Sequence, residues 1–95
     1  MPAYVIIDIA IHDEQTYMEY VRRVRPIVEK FGGRYLARGG KIIPMAGDWN
    51  PQRIVLIEFD SSQRVRECFG SPEYLAVAPF REQSTHTRAI IVEGI

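Results

Sequence analysis

Two carboxylates stand where strand-forming runs are otherwise apolar. "AYVIIDIAI", Ala3 to Ile11, sets Asp8 among β-branched and small residues, and "RIVLIEFD", Arg53 to Asp60, does the same with Glu58. Side chains alternate along a strand, so both acids fall opposite the larger apolar sets, Val5, Ile7, Ile9 and Ile11 in one run and Val55, Ile57 and Phe59 in the other. An ionised carboxylate buried without a partner is strongly unfavourable. One reading makes Asp8 or Glu58 a general base of raised pKa in a cavity formed with a second subunit. The other pairs each acid with an arginine or leaves it bordering solvent, and for either residue taken alone this is the ordinary outcome.

Arg38 is the cation most suited to a partner. It lies in "KFGGRYLARGGKII", Lys30 to Ile43, where alternation assigns Arg34, Leu36 and Arg38 to one side of a short strand and Tyr35 and Ala37 to the other. A guanidinium can clamp a carboxylate or phosphate through two parallel hydrogen bonds. It could equally neutralise Asp8 or Glu58, and edge strands also carry charge to block aggregation. The flanking glycines divide in role. Gly32–Gly33 follows a helical pattern and supplies a left-handed helix end. Gly39–Gly40 lacks both the Lys-Ser/Thr ending of a phosphate loop and a helix after it, so it reads as a β-bulge with room for a ligand or a partner backbone.

The other polar and aromatic candidates carry less. Tyr74 and Arg81, seven residues apart, share one helix face, with Tyr74 expected in the core and Arg81 reaching toward the sheet. Trp49 sits in the turn sequence "GDWNP", where it could lid a pocket or anchor a subunit contact, the second being the expected role. Arg53 flanks that turn. His12 and His86 stand isolated at element ends with no spaced partner, so no metal site is expected. Cys68 lies on an apolar stripe and reads as a buried thiol. No spacing suggests a serine or cysteine triad, and nothing calls for a cofactor.

The elements that must hold these residues follow from period and punctuation. After the first strand, Asp13 caps a helix whose stripe is Tyr17, Tyr20, Val21, Val24, Ile27, Val28 and Phe31, with Pro26 expected to kink it. "RYLARGG" is a second strand, and "KIIPMAGDWNPQ" its continuation and a long turn. The third strand is Arg53 to Asp60. Ser61 or Ser62 caps a second helix, which "GSPE" divides: Gly70 stops one piece, Ser71 caps the next and Pro72 opens it. Tyr74, Leu75, Val77, Ala78 and Phe80 pack that piece, and Pro79 is a second expected kink. "TRAIIVEGI" closes as a fourth strand.

The order β-α-β-β-α-β predicts a ferredoxin-like α+β sandwich, a four-stranded antiparallel sheet of order 4-1-3-2 with helices on one side. The opposite face, Tyr4, Ile6 and Ala10 with Ile54 and Leu56, is too apolar for water. A second copy of the chain is the economical cover, so a homodimer paired sheet to sheet is expected.

The bulk properties agree. Ninety-five residues, 46% hydrophobic and 25% charged, make a single domain spanning residues 1–95. Basic and acidic residues balance at 12 each, which removes the basic surplus of a nucleic-acid binder. No leader pattern opens the chain and no apolar run approaches a membrane span. One cysteine in so small a domain points to a reducing, cytoplasmic setting.

The runs "GGRYLARGG", "AGDWNPQRIVLIEF", "SPEYLAVAPFR" and "IIVEG" occur in order over almost the whole chain and closely resemble the family called domain of unknown function 1330. The resemblance implies a dimeric α+β barrel, an architecture shared with small monooxygenases and muconolactone isomerases. It transfers no activity. Two classes of function follow. One is a cofactor-free small-molecule binder or enzyme, isomerase-like or monooxygenase-like, with a pocket between helices and sheet or within the barrel. That pocket would be lined by Tyr4, Tyr17, Tyr20 and Tyr74 and polarised by Arg38 and an acid. The alternative is a non-catalytic structural or regulatory dimer.

Overall fold

A computed structural model describes residues 1–95. The chain runs β1 (Ala3–Ile11), α1 (Glu14–Lys30), β2 (Arg34–Arg38), β3 (Arg53–Phe59), α2 (Ser62–Phe69), α3 (Pro72–Ser84) and β4 (Thr85–Glu93). The strands form one sheet of order β2-β3-β1-β4 with every pairing antiparallel. This is the ferredoxin-like α+β sandwich. No helix is long and apolar enough to cross a membrane.

Local chemistry sets each boundary. Asp13 stands in extended backbone before α1 and its Oδ1 accepts from the Thr16 amide at 3.2 Å. Ser61 and Ser71 do the same for α2 and α3, accepting from the amides of Arg64 at 3.2 Å and Tyr74 at 3.1 Å. Each cap satisfies an amide that the helix itself cannot. Pro72 opens α3, where a missing N–H costs nothing. Helices α1 and α3 run on through Pro26 and Pro79. At the end of α1, Gly32 takes φ +84°, while Gly33 is needed for space: a Cβ there would sit 2.8 Å from the ring of Phe59 and press on Val28.

Alternation then sorts the sheet. Ala3, Val5 and Ile9 of β1 and Val55, Ile57 and Phe59 of β3 face the helices and are buried with Val24 and Val28 of α1, Val65 and Cys68 of α2, and Val77 and Ala78 of α3. Phe69 meets Phe59 and Tyr74 edge-on, with centroids 6.2 and 4.8 Å apart, a favoured aromatic geometry. The outer face carries no helix. There Tyr4, Ile6, Ile54 and Leu56 are half-buried by their neighbours alone, and Ile90 and Val92 of β4 are 59% and 42% exposed.

Three expectations need correction. The expected continuation of β2 is not a strand: Gly39 to Gln52 is irregular, and Pro44 cannot donate to a ladder. Strand β4 starts at Thr85 rather than Thr87. The bulge lies not at Gly39–Gly40 but between Tyr35 and Ala37. The register passes from Tyr35↔Ile57 directly to Ala37↔Leu56 and Arg38↔Val55, leaving Leu36 as the extra residue.

Candidate functional site

That bulge decides where Arg38 points. An unbroken strand would keep Arg34, Leu36 and Arg38 on one side. With one residue unpaired, Arg34 stays opposite Glu58 on the outer face and Arg38 stands opposite Val55 on the helix side. Arg38 therefore pairs with neither Asp8 nor Glu58. Its guanidinium lies 5.0 Å from the centroid of the Tyr35 ring, a cation–π arrangement.

The two acids are engaged elsewhere. Asp8 Oδ2 accepts from the Trp49 indole N–H at 3.0 Å and from Arg88 Nη2 at 2.8 Å. Trp49 first, then Arg88, holds the Asp8 carboxyl below the usual carboxylate range. Glu58 meets Arg34 Nη2 at 3.2 Å and accepts from the Tyr4 hydroxyl at 3.4 Å. Tyr4 is thereby an outer-face residue and does not line a pocket with the other tyrosines. Asp8, Glu58 and Trp49 all lie on the outer face.

Between the sheet and the helices opens a cleft of about 910 Å³, lined mainly by apolar side chains. Its floor includes Ile7, Ile9 and Val55, its walls Val21 and Val24 of α1 and Leu75 and Ala78 of α3, and Ala89 and Ile91 of the edge strand β4 form one rim. Four tyrosines line it: Tyr17 and Tyr20 from α1, Tyr35 from β2 and Tyr74 from α3. Tyr17 and Tyr20 stack at 5.9 Å, and Tyr20 meets Tyr74 edge-on at 6.3 Å.

The polar groups of the cleft form two assemblies. In the first, the Tyr20 and Tyr74 hydroxyls lie 2.9 Å apart and Arg81 Nε donates to the Tyr74 oxygen at 3.3 Å. Tyr74 and Arg81, seven residues apart on α3, are thus on one face as expected, and Arg81 turns back into the cleft. Burial pushes the Tyr20 phenol far above the ordinary value, with Tyr74 adding to the shift. In the second assembly, Arg53 Nε donates to the Tyr17 hydroxyl at 3.1 Å and its guanidinium lies 5.4 Å from that ring centroid. Gly39, at φ +72°, runs beside it, and a Cβ there would strike the Arg53 guanidinium. Of the second glycine pair, Gly39 alone serves the site in this way; a Cβ at Gly40 would meet nothing. Burial pushes the Tyr35 phenol up to about 12, against the opposing pull of Arg38.

The cleft also holds residues that sequence reasoning passed over. Arg53 shares the parity of Val55, Ile57 and Phe59, which already assigns it to the helix side. Arg66 of α2 and Glu82 of α3 line the mouth, and no spacing marks them. His12 and His86, expected to be isolated, have ring centroids 5.4 Å apart, because β1 and β4 pair Ala10 with His86. No group of three or more His, Cys, Asp or Glu residues is placed to hold a metal ion. Cys68 is buried, and desolvation lifts its thiol up to about 11.

Known structures share this architecture at low identity. A protein of unknown function from Rhodopseudomonas palustris superposes with a TM-score of 0.83 at 18% identity, covering 99% of this chain and 82% of that one. SnoaB, a cofactor-independent oxygenase from Streptomyces nogalater, gives 0.72 at 8% identity over 99% and 93% of the two chains. An uncharacterized NIPSNAP domain protein from Burkholderia xenovorans gives 0.65 at 11% identity over 100% and 95%. No curated protein matches the sequence. The family model for domain of unknown function 1330 matches residues 2–95, and the chain belongs to that family.

Proposed function

We propose that the chain is a small-molecule enzyme that works without a bound cofactor, with the tyrosine-lined cleft as its site. The observation that carries this reading is the hydrogen-bonded run Arg81–Tyr74–Tyr20 on the wall of an apolar cleft. Arg81 donates to the Tyr74 oxygen, and in the arrangement where Tyr74 in turn donates to Tyr20, the Tyr20 proton is free to donate into the cleft. A neutral phenol fixed beside a cation suits an oxygen on which negative charge develops. Glu82, the one carboxylate lining the cleft, is the available proton acceptor. The chemistry is proton abstraction next to a carbonyl, giving an enolate held by Tyr20. An enolate or phenolate rich enough in electrons also reacts with dioxygen, so oxygenation belongs to the same reading. The fold shared with a cofactor-independent oxygenase is compatible with it and carries no more weight than a fold can.

The test is exchange of α-protons into D₂O, followed by NMR, for enolisable aryl ketones and 2-oxo acids such as 2-tetralone and phenylpyruvate, with dioxygen uptake monitored in parallel. Wild type should accelerate exchange over buffer. Tyr20→Phe should lower the rate by roughly 100-fold, the scale of losing one oxyanion donor, and Arg88→Gln on the outer face should leave it unchanged. Buffer rates for every compound would sink the enzymatic reading.

The outer face supports a homodimer paired sheet to sheet. Ile6, Ile54 and Leu56 with the exposed Ile90 and Val92 make an apolar strip that a second copy would cover. Trp49 lies over its edge. Sedimentation equilibrium should give twice the 10.9 kDa protomer mass, and a concentration-independent monomer would exclude this assembly.

A further inference from the structure

The ten arginines separate by place. Arg22, Arg23, Arg25, Arg34, Arg64 and Arg88 each pair with a carboxylate. Arg38, Arg53, Arg66 and Arg81 take part in no ion pair, and these four are the arginines that line the cleft. Against them the cleft offers one acid, Glu82. A protein of zero net charge has therefore gathered its unpaired arginines around one apolar hollow, while its one unpaired lysine, Lys41, lies outside it. The partner missing from the hollow is an anion with an apolar body.

Two of the four sit together. Arg38 stands opposite Val55, and Arg53 begins the same face of β3 two residues earlier. The bulge at Leu36 turns Arg38 to that side, and the bare backbone of Gly39 lets the Arg53 guanidinium lie alongside. Each guanidinium rests on a tyrosine ring, Arg38 on Tyr35 and Arg53 on Tyr17. Arg53 spends only its Nε on a protein acceptor, the Tyr17 hydroxyl, so both terminal nitrogens of its fork are available. Braced, planar and unpaired, such forks match the two oxygens of a carboxylate.

We propose that Arg38 and Arg53 form an anion clamp for the carboxylate of an aromatic acid, whose ring lies in the cleft against the tyrosines. This rests on the reading of the cleft as a small-molecule site and adds the chemical class of its ligand. The clamp holds one end of the molecule. The Arg81–Tyr74–Tyr20 run faces the remainder, so the anchoring group and the reacting carbonyl are separate parts of one substrate.

The test is titration calorimetry on the full chain with 2-naphthoate, its neutral analogue methyl 2-naphthoate, and 2-naphthyl phosphate. Wild type should bind 2-naphthoate at least tenfold tighter than the ester, with the preference shrinking as salt is raised. Arg53→Gln and Arg38→Gln should each bring acid and ester near parity by weakening the acid alone, while Arg88→Gln keeps the wild-type preference. If Arg53→Gln fails to fold by circular dichroism, Arg38→Gln, on an exposed position of β2, decides. Equal binding of acid and ester by wild type, or a preference that survives in the folded clamp variants, overturns the clamp and leaves the cleft standing as a binding site. Tenfold tighter binding of the phosphate overturns the assignment to a carboxylate. Binding of none of the three overturns both the clamp and the cleft reading.

Discussion

Removing the Tyr74 hydroxyl tests the polar centre of the cleft more sharply than removing any other atom. In Tyr74→Phe the ring stays and two hydrogen bonds go, the one with Tyr20 at 2.9 Å and the one from Arg81 at 3.3 Å. A neutral bond of this kind contributes about 1 kcal/mol, and one from a cation nominally about 1.5–3 kcal/mol. Arg81 is only half-buried and its bond is long, so about 1 kcal/mol is the fair figure for the second. Tyr74→Phe should then destabilise by about 2 kcal/mol. Tyr20→Phe loses one bond and leaves Tyr74 with Arg81, a loss of about 1 kcal/mol. The double variant removes the Tyr20 hydroxyl that Tyr74→Phe strands, so it should cost about 2 kcal/mol rather than about 3. Urea unfolding of all four proteins at one protein concentration measures this, since association would shift the midpoint with concentration. In thermal scans Tyr74→Phe should fall by roughly 8–15 °C. A Tyr20→Phe loss equal to or larger than that of Tyr74→Phe, or strict additivity in the double variant, would refute the linear order Arg81–Tyr74–Tyr20.

Three further substitutions or probes test other parts of the molecule. The Asp8 carboxyl sits below its ordinary value of 3.8 in the folded protein, so its contribution is present above that value and lost as pH falls through the lowered one. Asp8→Asn should flatten the loss of stability between neutral pH and about pH 2, and an unchanged slope would discount the Trp49 and Arg88 bonds. Cys68, buried with its thiol raised to about 11, should not react with Ellman's reagent at neutral pH until the protein is unfolded; rapid labelling of native protein would contradict that burial. Gly33→Ala drives a methyl group against Val28 and Phe59 and should cost about 1–3 kcal/mol by overpacking, read as a lower urea midpoint with unchanged slope; wild-type stability would mean that the helix end has room to shift.

Most of the fold was legible because it is specified locally. Asp13, Ser61, Ser71 and Pro72 mark helix starts by their own side-chain chemistry, and two-residue alternation assigns the faces of β1 and β3. The outer face of Asp8 and Glu58 followed from that alternation as well. Their partners did not. Arg88 reaches Asp8 from a strand 80 residues later, and only the register of β1 against β4 brings the two together. The same register joins His12 to His86. Arg38 was misplaced for a different reason. A single unpaired residue reverses every side chain beyond it, and Leu36 carries no feature that distinguishes a bulge from an ordinary strand position. Arg53 was the avoidable omission, since its parity with Val55 and Ile57 already put it under the helices.

The bulge and the glycine after it are best understood together. A regular β2 would send Arg38 to the outer face, beside Arg34 and among acids that could neutralise it. The extra residue at Leu36 moves the charge across the sheet, into a space whose single acid is Glu82 at the mouth. Gly39, with φ +72° and no side chain, then keeps Arg53 from being pushed out of the same space. Two adjacent like charges repel, and a fold indifferent to ligand would gain by separating them. Gly39→Ala isolates this point, because it strains the backbone and displaces Arg53 without touching either guanidinium chemically. Its expected signature is a selective loss of 2-naphthoate binding that matches Arg53→Gln, with methyl 2-naphthoate bound as before. Equal weakening of acid and ester would mean that Gly39 merely shapes the cleft and has no part in holding the two cations together.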